Sequence, residues 1–319
     1  MTDATPFRFG FNNFGLRSRR DFAEFCRTAE SHGYDVFLGT DHLGSAAPFQ
    51  ELLAAAAVTE RLRFGTLTLN IGFWNPHLLA REVATADLLT DGRLELGLGA
   101  GHMKWEFDAA GIEWEPFAAR VDRLERTIEE LGRLFAAPEY EERTAVRDMY
   151  GLPELKPVQK RGFGGYGPPL LIGGTGDSVL RLAARHADIV GLAGANQVKG
   201  APPGTFRLGT AAQADERVRF VREHAGERAA RIESNVLVQA VVVTGDRRAT
   251  AEKLVAEHMP YFTVDEALET PFLLIGTVPQ IADQVRAGRE RFGFSYITVH
   301  GPYMEAFGPV IEHLRQGDR

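Results

Sequence analysis

The chain has 319 residues, 44% of them hydrophobic and 25% charged, and no uninterrupted apolar run of about 18 residues, which excludes both a disordered chain and a membrane-spanning helix. Its net charge of −7, with Lys and Arg scattered along the sequence, excludes a broad nucleic-acid footprint and leaves small-molecule chemistry as the expected work. The one cysteine, Cys26, excludes an intramolecular disulfide and a Cys-based zinc site, and MTDATPFRFG lacks a basic-then-apolar leader, so a cytoplasmic location is expected.

Short β-prone runs alternate with helical patterns in chain order. FRFGF (7–11) precedes a helical stretch over 20–32, DVFLGT (35–40) one over 48–60, LRFGTLTL (62–69) one over 77–90, and LELGLG (94–99) one over 117–136. PLLIGG (169–174) with 177–186, DIVGL (188–192) with 213–225, NVLVQAVVV (235–243) with 247–258, and SYITVHG (295–301) with 303–315 bring the strands to eight. Several strands are apolar throughout, as expected where both faces of a parallel sheet are buried. The predicted fold is therefore α/β, a single (β/α)₈ TIM barrel over residues 1–319; a doubly wound open sheet is the alternative. A barrel needs only about 250 residues. The surplus falls at 137–168, 193–212 and 259–276, which read as lid-like loops around the C-terminal mouth.

Four stretches could carry chemistry. Strand 2 runs out through Thr40, Asp41 and His42; an imidazole there can take a proton from a substrate hydroxyl or return one, whereas the plain alternative makes Asp41 a turn cap and His42 a surface residue. Strand 3 leads through Asn70, Phe73 and Trp74 into a helix opened by Pro76, aromatics that either wall a ring pocket or pack beneath a loop. Strand 4 carries Gly97, Gly99 and Gly101 before His102. Glycine at every second position either clears a face for a flat ring or thins a crowded barrel layer, and the run is not the G-x-G-x-x-G fingerprint. Finally, Gly173, Gly174, Thr175 and Gly176 join an apolar strand to a helix, where free backbone N–H groups can hold an oxyanion, unless Asp177 or Ser178 simply caps the helix.

Taken together, TDH at 40–42, GTLTLNIGFWNPHLLAREVATADLLTDGRLELGLGAG, PPLLIGGTGDSVLRLAARHADIVGL and the late LIGTVPQIADQVRAGRERFG resemble the luciferase-like monooxygenase superfamily, in its branch of oxidoreductases that use the deazaflavin coenzyme F420. The resemblance implies a (β/α)₈ barrel with the ring across its C-terminal mouth and a non-prolyl cis peptide near Leu67 and Thr68. It implies that His42 is the catalytic acid or base and that Asp41 positions the ring. Leu67, Thr68, Asn70, Gly101 and His102 would contact the ring or ribityl chain, and Gly173, Gly174, Thr175 and Gly176 would hold the phosphate. Trp74, Glu106 and Tyr150 are expected on the substrate side. The sequence HMKW at 102–105 departs from many relatives, which carry Trp and Asn after the last glycine. The implied activity is hydride transfer between the deazaflavin C5 and a small organic substrate, in a homodimer that binds neither nucleic acid nor membrane. An FMN-dependent monooxygenase and a non-catalytic flavin-binding protein are the alternatives, the latter disfavoured by the intact Asp-His pair. No metal is expected, since strand 1 supplies no H-x-H and H-E-x-x-H occurs nowhere.

Overall fold

Strands that are apolar on both faces need a layer of helices outside and side chains inside, and closing the sheet on itself provides both. In the computed structural model, which describes residues 6–15, 17–137 and 147–317, eight parallel strands close in this way. They are β1 (Arg8–Asn13), β2 (Val36–Gly39), β3 (Arg63–Thr66), β4 (Leu94–Gly99), β5 (Leu170–Gly173), β6 (Ile189–Leu192), β7 (Glu233–Val238) and β8 (Phe294–His300). Each pairs with the next, and β1 pairs with β8, Gly10 opposite Thr298, so the sheet has no edge and the open-sheet alternative is ruled out. The core between barrel and helices is built from fully buried side chains such as Phe9, Leu96, Ile172 and Val299. At the end away from the mouth, Arg8 bridges the carboxylates of Glu95 and Glu233, and Arg63 Nε donates to Glu95 at 2.6 Å.

Helix ends follow local chemistry. Ser18 caps Arg19–Ser31, Asn75 with Pro76 opens Pro76–Leu89, and Thr210 with Gln213 forms a capping box on Ala211–Ala225.

Two sequence expectations change. NVLVQAVVV is not one strand: β7 ends at Val238, and Ala240–Val243 turns out of the barrel to pair in parallel with Leu273–Gly276. A run of β-branched residues reports strand propensity, not the bend at Gln239. Correspondingly, Arg247–His258 does not fill the seventh helix position. Val278–Phe292, with a Thr277 capping box and Pro279 in its first turn, packs beside β8 and the helices Ala211–Ala225 and Met304–Gly317. Arg247–His258 instead covers the small outer sheet, where Ala251, Met259, Phe262, Ala267, Leu273 and Ile275 make a separate buried cluster.

Of the three insertions, 138–146 lies outside the described residues. The 193–212 stretch contains an antiparallel hairpin, Ala195–Gln197 with Phe206–Leu208, and 259–276 contains the helix Val264–Glu269 and the strand Leu273–Gly276. Among the described residues no helix is long and apolar enough to cross a membrane.

Where β3 meets β4 the backbones nearly touch: a Cβ on Gly97 would lie 1.8 Å from the Thr66 carbonyl oxygen. Gly97→Ala should therefore destabilise the barrel by about 3 kcal/mol or more, read as a loss of soluble protein or a large fall in Tm. Gly288, inside Val278–Phe292, has open space at its Cβ position, so Gly288→Ala should raise stability by about 0.5 to 1 kcal/mol. Glu51, buried and accepting from Asn13 Nδ2 at 2.5 Å, has its carboxyl pushed by burial up to about 7. Its contribution to stability is complete below the ordinary value of 4.5 and is lost as pH rises through about 7. Glu51→Gln should accordingly lessen the fall in Tm between pH 5 and pH 8.

Candidate active site

A cavity of about 1100 Å³ opens at the C-terminal ends of the strands, where such barrels build their sites. Its lining brings together Asp41, His42, Leu67, Thr68, Asn70, Gly101, His102, Glu106 and the turn Gly173, Gly174, Thr175 and Gly176. Trp74 and Tyr150 are absent from that lining. Trp74 lies behind Asp41, its Nε1 donating to Asp41 Oδ2 at 2.9 Å and its ring edge-on to Phe49. Tyr150 is 70% exposed on the outer surface. Both expectations fail for one reason: an aromatic residue near a strand end has several surfaces to pack against, and sequence does not say which.

Asp41 and His42 both border the cavity, contrary to the alternation expected of a strand, because β2 ends at Gly39 and the chain leaves the extended pattern there. Asp41 Oδ2 accepts from the Asn70 N–H at 2.9 Å as well as from Trp74, and burial raises its carboxyl above the usual range. His42 turns the other way. Its Nδ1 lies 2.9 Å from Glu106 Oε1, which also accepts from the Leu43 N–H at 3.0 Å. Glu106 is only 1% exposed. It lines the cavity and is paired there with His42. With an ionised Glu106 and a neutral imidazole, Nδ1 of His42 is the donor and Nε2 the nitrogen with the lone pair.

On the opposite side of the mouth, β5 delivers the glycine turn to the N-terminus of the helix Asp177–His186. The first N–H groups of that helix have no helical partner and carry a partial positive charge. Gly174 does not add to them: its N–H donates to Gly191 O at 3.2 Å, and a Cβ there would press on Val179 Cγ1 at 2.4 Å. That glycine shapes the turn. Asp177, which would repel an anion if it faced the turn, is paired with Arg217 Nη1 at 2.5 Å and does not line the cavity.

The strand-4 glycines also prove to have a partner other than a ring. A Cβ on Gly99 would meet Thr68 Oγ1 at 2.4 Å, and one on Gly101 would meet Asn70 Oδ1 at 2.4 Å. Their missing side chains make room for Thr68 and Asn70, which then reach the cavity. The peptide bond between Leu67 and Thr68 is cis.

Sequence reasoning missed Arg120. Buried on the cavity wall, its guanidinium lies 3.6 Å over the Trp114 ring, donates to the carbonyls of Gly101 and Glu115, and is held down to about 10 by burial. It stands in the first turn of an ordinary amphipathic helix, Phe117–Ala136, whose pattern gives no local signal. Asn12 and Asn70 each carry a buried Nδ2 without a hydrogen-bond partner, and both line the cavity. Among the described residues no group of three or more His, Cys, Asp or Glu is arranged to hold a metal ion.

A closed parallel barrel with an acid, an imidazole and a helix N-terminus around one cavity at its C-terminal mouth is the build of a barrel that binds a small molecule there. The sequence model of the luciferase-like monooxygenase family matches residues 5–296, and the chain belongs to that family. The F420-dependent glucose-6-phosphate dehydrogenase of Nocardia farcinica is 32% identical over 57% of this chain and 54% of its own length; the chain spans about half the length of the curated relatives it matches. Two solved structures share the fold. The F420-dependent tetrahydromethanopterin reductase of Methanopyrus kandleri superposes with a TM-score of 0.71 at 16% identity, covering 99% of this chain and 100% of the other. The oxygenating constituent of 3,6-diketocamphane monooxygenase from Pseudomonas putida, in complex with FMN, does so with a TM-score of 0.67 at 17% identity, covering 97% and 96%.

If Glu106 fixes the ring of His42, nitrogen NMR at pH 8 should find His42 protonated on Nδ1. Glu106→Leu should shift it toward the Nε2–H form that free imidazole favours, and an unchanged spectrum would show that the carboxylate does not set the tautomer.

Proposed function

We propose that this chain is an F420-dependent oxidoreductase that moves a hydride between the deazaflavin ring and a small organic substrate. The observation that carries the reading is the 2.9 Å contact of His42 Nδ1 with Glu106 on the cavity lining, which leaves Nε2 as the ring's other nitrogen for proton transfer.

The residues present fit the cofactor. The unpartnered Nδ2 of Asn70 and the nearby Asp41 carboxylate suit the polar edge of a ring. The helix N-terminus at Gly176 and Asp177 suits a phosphate. Leu67, Thr68, Gly101 and His102 would border the ring or ribityl chain; Gly173, Thr175 and Gly176 would border the phosphate, with Gly174 holding the turn. When bound, F420 supplies the hydride acceptor or donor at C5. His42 takes the hydroxyl proton of an alcohol undergoing oxidation and returns it to a carbonyl oxygen in the reverse direction. Glu106 holds the imidazole in the tautomer that can do so and stabilises its charged form. Glucose 6-phosphate is the substrate for which several relatives are named. A cytoplasmic homodimer completes the proposal, supported by the family resemblance and measurable by light scattering.

Side-by-side titration should give F420 at least a tenfold tighter Kd than FMN, about 1.4 kcal/mol; equal or inverted affinities would favour an FMN monooxygenase instead. His42→Ala should cut turnover by about 10² to 10⁴-fold and leave F420 affinity within a few fold. Gly176, the N-cap of Asp177–His186, has φ −78°, which any residue adopts. Gly176→Asp should thus preserve or raise Tm by capping the helix, while its carboxylate weakens F420 binding at least tenfold. Unchanged binding would move the phosphate elsewhere.

A further inference from the structure

We infer that the substrate of this site is an uncharged molecule with an apolar body beside its reacting carbon, and not a phosphorylated sugar; the inference rests on the function proposed above. The surroundings of His42 carry it. On one side stands Phe14, on the cavity wall just past β1, 45% exposed, its ring tilted against those of His42 at 6.2 Å and His300 at 5.4 Å. On the other stands His102, edge-on to His42 at 5.4 Å and backed by the Phe206 ring at 5.6 Å from the hairpin. An aromatic face this open, inside a cavity, is surface that an apolar ligand covers favourably.

The charges nearest His42 have the wrong sign for a dianion. Glu106 is in contact with it and Asp41 adjoins it in the chain, both on the cavity lining. Among the described residues, the lining offers two permanent cations. Arg120 is turned onto Trp114 and the carbonyls of Gly101 and Glu115. Lys199 lies in the exposed turn of the hairpin, between Gln197 and Phe206. A phosphate dianion seated beside His42 would give up its water for a phenyl ring and two carboxylates, which burial makes costly.

The test uses the whole protein saturated with oxidised F420 and calorimetric titration with two probes. Acetophenone exchanges no hydride with the oxidised cofactor, so its binding is read without turnover; glucose 6-phosphate is the charged comparison. Acetophenone should bind at least tenfold more tightly. Equal or tighter binding of the sugar phosphate, its oxidation by the loaded protein, or binding of neither probe would overturn the inference. Phe14→Ser should weaken acetophenone about fivefold with F420 affinity unchanged, and an unaltered acetophenone affinity in that variant would also overturn it. Failure of the protein to take up F420 in the first place would instead sink the proposed function, so the two failures are distinct.

Discussion

The close approach of β3 to β4 is the constraint on which the rest of the mouth depends. Thr66 replaces part of the ordinary ladder there, its hydroxyl donating to Gly97 O at 2.7 Å and accepting from Gly97 N–H at 2.9 Å. Beyond it, Thr68 and Asn70 occupy the places that side chains at 99 and 101 would have filled. Three glycines on and just past β4 thus admit three polar residues on and just past β3. Because Asn70 comes so far over, its N–H meets Asp41 from β2, and three strands are tied at the point where the cavity begins. Larger residues at those glycines would push β3 outward and take Asp41 with it.

The acid and the imidazole at the end of β2 are consequently held by different things. Asp41 is fixed by backbone and indole donors from the β3 exit, His42 by a carboxylate from the helix Lys104–Ala110 after β4. Neighbours in sequence, they answer to separate supports, so the surroundings of one can change without releasing the other. Glu106 is well placed for its part: one oxygen satisfies both the Leu43 N–H and His42, so loop and ring are set by the same atom. A hydrogen-bonded buried carboxylate of this kind is rigid where a solvated one is not.

Much of this was legible in the sequence, and the boundary falls where physics would put it. Strand and helix periodicity is a local signal, so the eight strands and most helices could be read directly, as could a glycine turn running into a helix with bare N–H groups. Partnerships across the chain were not. His42 and Glu106 are 64 residues apart, and nothing in either local pattern announces the other. The spaced glycines of β4 were visible, but whether the space they leave holds a ligand or a neighbouring strand depends on register, which no single segment carries. Arg120 was hidden in an amphipathic helix, and the bend after Val238 in an unbroken apolar run. The assignments of Trp74 and Tyr150 rested on type and position alone, without a packing partner to orient them.

The small outer sheet bears on the cavity without touching it. Tyr261 OH accepts from the Leu208 N–H at 3.0 Å and its ring lies under Arg207, while Thr270 donates to Gly209 O at 2.8 Å. Phe272 fills the space that a side chain on Gly194 would need. The outer excursion therefore braces the hairpin whose Phe206 backs His102. Its own ends lie side by side, Ala240 opposite Leu273, so the stretch between them can lengthen, shorten or repack while the barrel keeps its register. Lineages could reshape the ceiling of the pocket from this distant buttress, leaving every residue that meets the reactants as it is.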